Sequence, residues 1–216
     1  DAQESRGLGD VYKRQGYPSI YGEEIKDVPM KYIYDRLPDG YIMRDGDDYT
    51  YSSRTAPGYH LNYFTPYQIL GNLYDQPYVR GEYMKQMSMS NYNKDAFWTV
   101  LCANPEKAFK STDDLPLAYR ATYPLTSVTA RTSWQSGMDA PTVVANMRAH
   151  ERTLYDHMHD DAGHFQIYYK GSLALDSGTY AGTDGGWGCS HDFNYHKRSI
   201  AHNVVTVYDP NEQFIY

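Results

Sequence analysis

The chain has 216 residues, of which 41% are hydrophobic and 22% are charged, a composition typical of a globular rather than a disordered protein. The formal net charge of −7 argues against a general nucleic-acid-binding protein, because such proteins bind by neutralising phosphates. No run of 18 apolar residues occurs, so the sequence predicts no membrane-spanning helix.

The tyrosine and cysteine contents of the chain are unusual or informative but do not by themselves indicate a function. The 24 tyrosines suit stacking on sugar rings, and they suit the filling of irregular cores equally well. The two cysteines, Cys102 and Cys189, are far apart in sequence and form no CxxC pair, so they indicate neither a zinc knuckle nor a cellular compartment.

The two ends of the chain look cut rather than natural. The stretch Asp1–Gln15 has no apolar periodicity and ends in GLGDVYKRQ, which resembles translated adapter sequence, so we expect residues 1–15 to be a non-native or disordered tail. The chain stops at Tyr216 directly after a predicted strand and turn. We therefore expect a fragment of a longer protein.

The first half of the chain carries helical patterns. Mixed three- and four-residue apolar spacings predict helices within Tyr63–Met89 and Lys94–Phe109. Turns are predicted at Pro38-Asp39-Gly40 and at Asp45-Gly46. We interpret residues 16–120 as the end of a helical domain.

The second half, residues 121–216, is predicted to be an antiparallel β domain, which makes the fold class α+β. Short β-branched or aromatic runs are separated by Gly, Pro, Asp and Ser. The predicted strands are Ser127–Trp134, Thr142–Arg148, His164–Tyr169, Leu173–Asp176 and Asn203–Tyr208. In His164–Tyr169, the apolar side chains Phe165, Ile167 and Tyr169 alternate with His164, Gln166 and Tyr168, the period of a strand with one buried face; His164, on the polar face, is interpreted as structural.

Candidate chemistry is concentrated in the β part, where seven of the eight histidines lie between His150 and His202. In the extended run His157-Met158-His159, residues i and i+2 face the same side, so both imidazoles can reach one site. Asp176 ends a predicted strand and His202 begins one. Two imidazoles and a carboxylate form a known zinc-ligand set. Spacing alone leaves structural histidines as the alternative.

Longer motifs around these residues resemble the heparinase II/III family of polysaccharide lyases. The resemblance rests on ordered segments that together span about residues 34–210: Tyr34–Asp47, Thr129–Trp134, His157–Gly178, Gly188–Asn203 and Val207–Pro210. It implies the end of an α/α toroid followed by the start of a β-sandwich. It also implies cleavage of uronate-containing, heparin- or heparan-sulfate-like polysaccharides by β-elimination, in the periplasm or cell envelope.

The resemblance also assigns roles to individual residues. It makes His157 the catalytic histidine and His159, Asp176 and His202 the ligands of a zinc ion, for which we favour a structural role because the ion would brace the segment that carries His157. The remaining catalytic groups would come from the toroid, most of which would precede this chain. Without it, we expect the chain to bind metal yet show no lyase activity.

Other side chains in the matched segments are candidates for contact with an acidic polysaccharide. Lys197 and Arg198 carry charges that suit carboxylate or sulfate, although a solvated basic pair is the alternative. Trp187 lies in a Gly-rich loop where it could stack on a sugar ring or simply pack. Tyr195 and His196 are interpreted only as lining the site.

Two other classes of protein remain possible from the sequence. A non-catalytic carbohydrate-binding β-sandwich would use the aromatic residues but would not need His157 beside a metal. A metal-dependent oxygenase would place a carboxylate close after the first histidine ligand, which would nominate His159 and Asp161.

Overall fold

The computed structural model describes residues 23–47, 64–89, 106–151, 157–177 and 186–211. The expected tail and most of the predicted helix Lys94–Phe109 lie outside these ranges, and the described end of that helix, residues 106–109, is not helical. In the described parts of the chain, each helix is too short or too polar to cross a bilayer.

Three α-helices are described. Helix α1 is Asp27–Tyr34, preceded by a 3-10 turn at Glu23–Lys26; α2 is Phe64–Leu73 and α3 is Pro77–Met89. The predicted helical stretch Tyr63–Met89 is therefore two helices. It divides at Asp75, whose φ of 52° is left-handed, and α3 starts at Pro77 because proline is tolerated at a first helical position, where no N–H is needed.

Tyrosines fill much of the core between the helices and the sheet. Tyr34 and Tyr67 are buried, and the Tyr34 ring stacks on Tyr119 at 4.7 Å and meets the edge of Trp134 at 5.2 Å. Aromatic pairs in these arrangements add to the energy of apolar burial. Tyr34 and Tyr67 therefore fill the core and are not exposed for stacking on a sugar ring.

Five strands form one antiparallel sheet in the order of the chain, which confirms an α+β fold. The strands are β1 Ala118–Ala121, β2 Ser127–Arg131, β3 Val143–Arg148, β4 Phe165–Tyr169 and β5 Ser172–Ala174. Neither a second sheet nor a toroid is seen among the described residues.

The predicted strand Asn203–Tyr208 is wrong, because these residues form no strand. Val205, Val207 and Tyr208 are 86%, 81% and 87% exposed, and no described strand pairs with them. β-Branched residues favour a strand only where a neighbouring strand and a packed face are present, so the composition of this segment was misleading.

Strand β4 is confirmed, but its buried face is the polar one. His164, Gln166 and Tyr168 are buried, whereas Phe165 and Tyr169 are 39% and 41% exposed. The loop that covers the sheet at this point supplies polar partners for Gln166 and Tyr168. It also packs the apolar side chains of Leu37 and Met43 against Val144 and Tyr168.

That loop, Asp35–Asp47, is called the docking loop here. It folds back at the predicted Pro38-Asp39-Gly40 turn, where Gly40 has a φ of 91°. Its Asp39 Oδ2 accepts a hydrogen bond from Tyr168 Oη at 2.7 Å, and the Arg44 carbonyl accepts one from Gln166 Nε2 at 2.8 Å. Gln166 and Tyr168 on the polar face of β4 are therefore buried with hydrogen-bond partners in the loop, as buried polar groups require.

Candidate metal and catalytic site

The site is built around the segment His157–His159, which follows β3 and precedes β4. The His157 side chain is 66% exposed, whereas that of His159 is fully buried. Both imidazoles contact one carboxylate, that of Asp47 at the end of the docking loop. The two histidines therefore meet at one carboxylate, although one ring is exposed and the other is buried.

The three residues predicted as metal ligands come together in the structure. His159 Nδ1 lies 3.0 Å from His202 Nε2 and 3.6 Å from Asp176 Oδ2, and His202 Nε2 lies 3.3 Å from the same Asp176 oxygen. All three residues are buried. The group has the composition and closeness of a candidate metal site.

The outer hydrogen bonds of the two histidines indicate which nitrogen of each carries a proton. His202 Nδ1 lies 2.7 Å from the Arg198 carbonyl and His159 Nε2 lies 2.9 Å from Asp47 Oδ1, so these nitrogens are the donors. The lone pairs of the other two nitrogens then converge on the Asp176 carboxylate. Three acceptors at such short distances require a cation among them, either a shared proton or a metal ion.

The electrostatics of the cluster are those of a buried carboxylate with imidazole partners. Burial raises the pKa of Asp176, but hydrogen bonding and charge from His159 and His202, when these imidazoles hold the shared proton, lower it more, so its pKa is well below the usual range. Burial lowers the pKa of His159, yet Asp176 and Asp47 raise it above the ordinary value. Asp176 is thus an anion ready to neutralise a cation.

Asp47 is the site residue that sequence reasoning missed. Its Oδ2 lies 2.5 Å from His157 Nδ1, and its Oδ1 lies 2.9 Å from His159 Nε2. The available signal was its place at the end of the matched segment Tyr34–Asp47, directly after the Asp45-Gly46 turn. No spacing rule connects it to histidines 110 and 112 residues later.

Two further histidines support the cluster from outside. His196 packs its ring against His159 at 4.6 Å, with Nδ1 3.3 Å from Asp192 Oδ1 and 3.8 Å from Asp47 Oδ1. His164 accepts the Asn203 N–H at 2.9 Å, and burial together with Arg148 lowers its pKa to about 4. A neutral, hydrogen-bonded His164 fits its predicted structural role.

The carboxylate nominated by the oxygenase alternative lies elsewhere. Asp161 pairs with Arg148 and, at 3.0 Å, with His150 Nε2. The carboxylate beside His159 and His202 is that of Asp176, 17 residues after His159 in the chain. The arrangement does not match the close His–carboxylate spacing on which the oxygenase interpretation depends.

The predicted substrate-contacting residues lie on the segment that packs against the His157–His159 loop. Ser199 Oγ donates to the Asp160 carbonyl at 2.8 Å, and the Asp160 N–H donates to the Lys197 carbonyl at 2.8 Å. Tyr195 is 37% exposed, and its Oη lies 3.2 Å from Ser177 Oγ, beside Asp176. Tyr195 therefore lines the surface next to the cluster.

Both predicted cationic contacts already have acidic neighbours. Lys197 Nζ lies 3.3 Å from Asp192 Oδ2, and Arg198 lies 3.5 Å from Asp160 Oδ2. Lys197 Nζ also lies 5.7 Å from the ring centre of Trp187, which is 61% exposed. Trp187 is thus more accessible to a polysaccharide than Lys197 or Arg198.

A solved structure of a heparinase III is similar in fold to this chain, with a TM-score of 0.50 and 19% sequence identity. The match covers 89% of this chain but 25% of that one, so the chain spans about a quarter of the neighbour's length. At this identity the likeness supports a heparinase-like fold and nothing about activity.

No protein-family model matches the chain, and no curated protein matches it.

Proposed function

We propose that this chain is part of a polysaccharide lyase that cleaves uronate-containing polysaccharides by β-elimination and holds a zinc ion with His159, Asp176 and His202. The observation that carries the proposal is the convergence of these three donors beside an exposed histidine, His157, which is itself held by a carboxylate. The heparinase-like fold supports it. A location in the periplasm or cell envelope is part of the same proposal.

The donor atoms suit zinc. Ligand atoms about 2.0–2.2 Å from a tetrahedral ion lie about 3.3–3.6 Å from one another. The two separations from Asp176 Oδ2, 3.3 and 3.6 Å, fall in this range, and the separation between the two histidine nitrogens, 3.0 Å, is slightly shorter. Neutral imidazole nitrogens and a carboxylate oxygen are ordinary zinc ligands. We assign the ion a structural role, since its ligands connect the His157–His159 loop to two later segments; a bound zinc ion would also supply Lewis acidity.

In β-elimination, a base removes the proton α to the uronate carboxylate, and an acid protonates the leaving glycosidic oxygen. His157 suits the proton transfer because Asp47 occupies its Nδ1, which leaves Nε2 as the basic atom of an exposed ring. The second proton-transfer group is expected in the toroid. Trp187, Tyr195, Lys197 and Arg198 are proposed to contact the acidic sugar chain.

The first experiment measures zinc in the purified chain, compared with a His159→Ala, Asp176→Ala variant. We expect about one zinc per chain, lost in the variant, because two of three ligands are gone. Asp139→Asn is the control, since Asp139 is an exposed carboxylate outside the cluster. A folded chain that binds no zinc contradicts the ligand assignment, and bound iron in its place would favour an oxygenase.

The second experiment measures turnover by the intact protein on uronate-containing polysaccharides, followed by the absorbance of the unsaturated uronate product. His157→Ala should reduce kcat by about 100-fold or more, the usual contribution of a positioned acid–base group, while the zinc content stays the same. A variant with wild-type turnover would show that His157 is not catalytic.

A carbohydrate-binding module is the second candidate, because aromatic side chains near the site are exposed: Trp187 by 61%, Phe193 by 53% and Tyr195 by 37%. Such a module binds the polysaccharide without changing it. Binding that survives His157→Ala, combined with no product from the intact wild-type protein, would favour this candidate over the lyase.

A further inference from the structure

The Asp47 carboxylate is shared between two histidines, one oxygen to each. Oδ2 is 2.5 Å from His157 Nδ1 and Oδ1 is 2.9 Å from His159 Nε2. The Asp47 side chain is only 6% exposed, so water competes little with the two histidines for hydrogen bonds to its oxygens. One buried carboxylate therefore connects the proposed catalytic histidine to a proposed metal ligand.

An ionised carboxylate accepts hydrogen bonds and donates none, so it fixes where the protons of its neutral partners lie. His157 must carry its proton on Nδ1, and His159 must carry its proton on Nε2. The lone pairs then lie on His157 Nε2, in the exposed ring, and on His159 Nδ1, which is 3.0 Å from His202 Nε2 and 3.6 Å from Asp176. Each lone pair is at the position that its proposed role requires.

The backbone around Asp47 holds this geometry in place. Asp45 pairs with Lys31 at 2.9 Å and with Arg148 at 3.2 Å, which fixes the chain two residues before Asp47. Between them, a Cβ on Gly46 would lie 2.6 Å from the His157 carbonyl oxygen, so the two backbones are in close contact. The position of the carboxylate is thus set by protein contacts.

We propose that Asp47 is a positioning residue that selects the tautomers of both histidines at once: it prepares His157 Nε2 to move a proton and His159 Nδ1 to bind the metal. The inference rests on the proposed lyase function for the role of His157, but the tautomers themselves do not depend on activity. A single side chain would then couple metal binding to catalysis through hydrogen bonds alone.

The test is Asp47→Asn, which keeps the shape but leaves one acceptor oxygen for two N–H groups. Because His159 is fully buried and His157 is 66% exposed, we expect the amide oxygen to stay with His159 and the amide NH₂ to face His157. His157 must then accept at Nδ1 and move its proton to Nε2. Long-range ¹H–¹⁵N NMR of histidine-labelled protein, at a pH where the imidazoles are neutral, reads this change directly.

The wild type and the Asp139→Asn control should both show His157 protonated on Nδ1, and Asp47→Asn should show it on Nε2. Wild-type His157 protonated on Nε2, or an unchanged tautomer in Asp47→Asn, overturns the proposal. This measurement needs neither metal nor substrate, so it stands even if the lyase function fails.

Turnover provides the second measurement. With zinc saturating, Asp47→Asn should lower kcat by about 10-fold or more at nearly constant KM, and Asp47→Glu, which restores a carboxylate, should recover part of the loss. An active wild type whose kcat is unchanged by Asp47→Asn contradicts the positioning role and leaves the lyase proposal intact. A wild type without product on any uronate polysaccharide contradicts the proposed function instead.

Discussion

At the scale of single residues, Gly46 decides where Asp47 can be. It has a φ of +57°, in the left-handed region that glycine adopts without cost. A Cβ there would also lie 2.6 Å from the His157 carbonyl oxygen, closer than real contacts allow. The turn predicted at Asp45-Gly46 is therefore also the place where the docking loop meets the His157 segment.

Gly46→Ala should push the docking loop and the His157 segment apart. We expect a loss of about 1–2 kcal/mol from backbone strain, a further loss from the collision, and a weaker Asp47–His157 hydrogen bond. Denaturant unfolding measures the stability, and the NMR signal of the His157 Nδ1 proton reports the contact.

Gly163→Ala is the matched control, because Gly163 has a φ of +82° and a Cβ added there would have no neighbouring atom within 4 Å. Gly163→Ala should lose only the stability that backbone strain costs, without the loss from a collision. Equal losses in the two variants would mean that the close approach at Gly46 contributes nothing.

A different carboxylate, Asp27, stabilises the start of α1 against β1. It accepts hydrogen bonds from Tyr119 Oη and from Thr122, whose N–H is at 3.0 Å. Burial raises the pKa of Asp27, but the hydrogen bonds from Thr122 and Tyr119 lower it more, so its pKa in the folded state is below the ordinary value. Its contribution to folding is then present above a pH of about 4 and is lost as the pH falls further.

Asp27→Asn should therefore lower the free energy of unfolding at neutral pH and flatten its decrease in acid. Urea unfolding at a series of pH values, with Asp139→Asn as the exposed control, measures both effects. A wild-type pH dependence that persists unchanged in Asp27→Asn would show that other groups produce it.

At the scale of elements, the docking loop covers β2, β3 and β4 with a small apolar cluster, in which Leu37 and Met43 pack on Val144 and Tyr168, and with buried hydrogen bonds. Thr129 Oγ1 and Asn146 Nδ2 both donate to Asp35 Oδ1, at 2.8 and 3.2 Å. Arg148, at the end of β3, donates to the Arg44 carbonyl and to Asp161. Such an interface is specific because its buried polar groups depend on partners in the facing element.

Arg148→Met should be strongly destabilising, because it removes the guanidinium that pairs with the buried Asp161 carboxylate and leaves only His150 beside it. Loss of one partner from a buried ion pair costs about 3–5 kcal/mol. The same substitution at Arg120, which is exposed on β1, should cost little. Similar unfolding free energies for the two variants would contradict the importance of the docking-loop contacts.

At the scale of the whole molecule, the candidate metal ligands come from three separate segments. His159 precedes β4, Asp176 follows β5, and His202 follows the 3-10 turn Ser199–Ala201. A ligand that binds only the folded arrangement of these segments stabilises the fold.

Zinc should therefore raise the stability of the chain, by about 2.7 kcal/mol at a free concentration 100 times the dissociation constant. Thermal unfolding with zinc and with a chelator measures the shift. His159→Ala should remove the zinc-dependent part, whereas Asp139→Asn should keep it. A shift of equal size in His159→Ala would place the bound zinc elsewhere on the protein.

The structure confirms local features that depend on short-range patterns. The turn at Gly40 and the strands β2, β3 and β4 follow from turn residues and two-residue alternation, which act over a few neighbours. Where the outcome depended on distant partners, prediction failed: Asn203–Tyr208 had strand composition without a neighbouring strand.

The sequence by itself determined the residue types that can bind a metal and move protons, together with the i, i+2 spacing of His157 and His159. Only the tertiary structure decided which face of β4 is buried and which carboxylates meet these histidines. Asp47 reaches them across 110 residues of chain, because the docking loop packs on the polar face of the sheet. Hydrogen bonds over such separations depend on how the elements pack, and no local pattern in the chain encodes them.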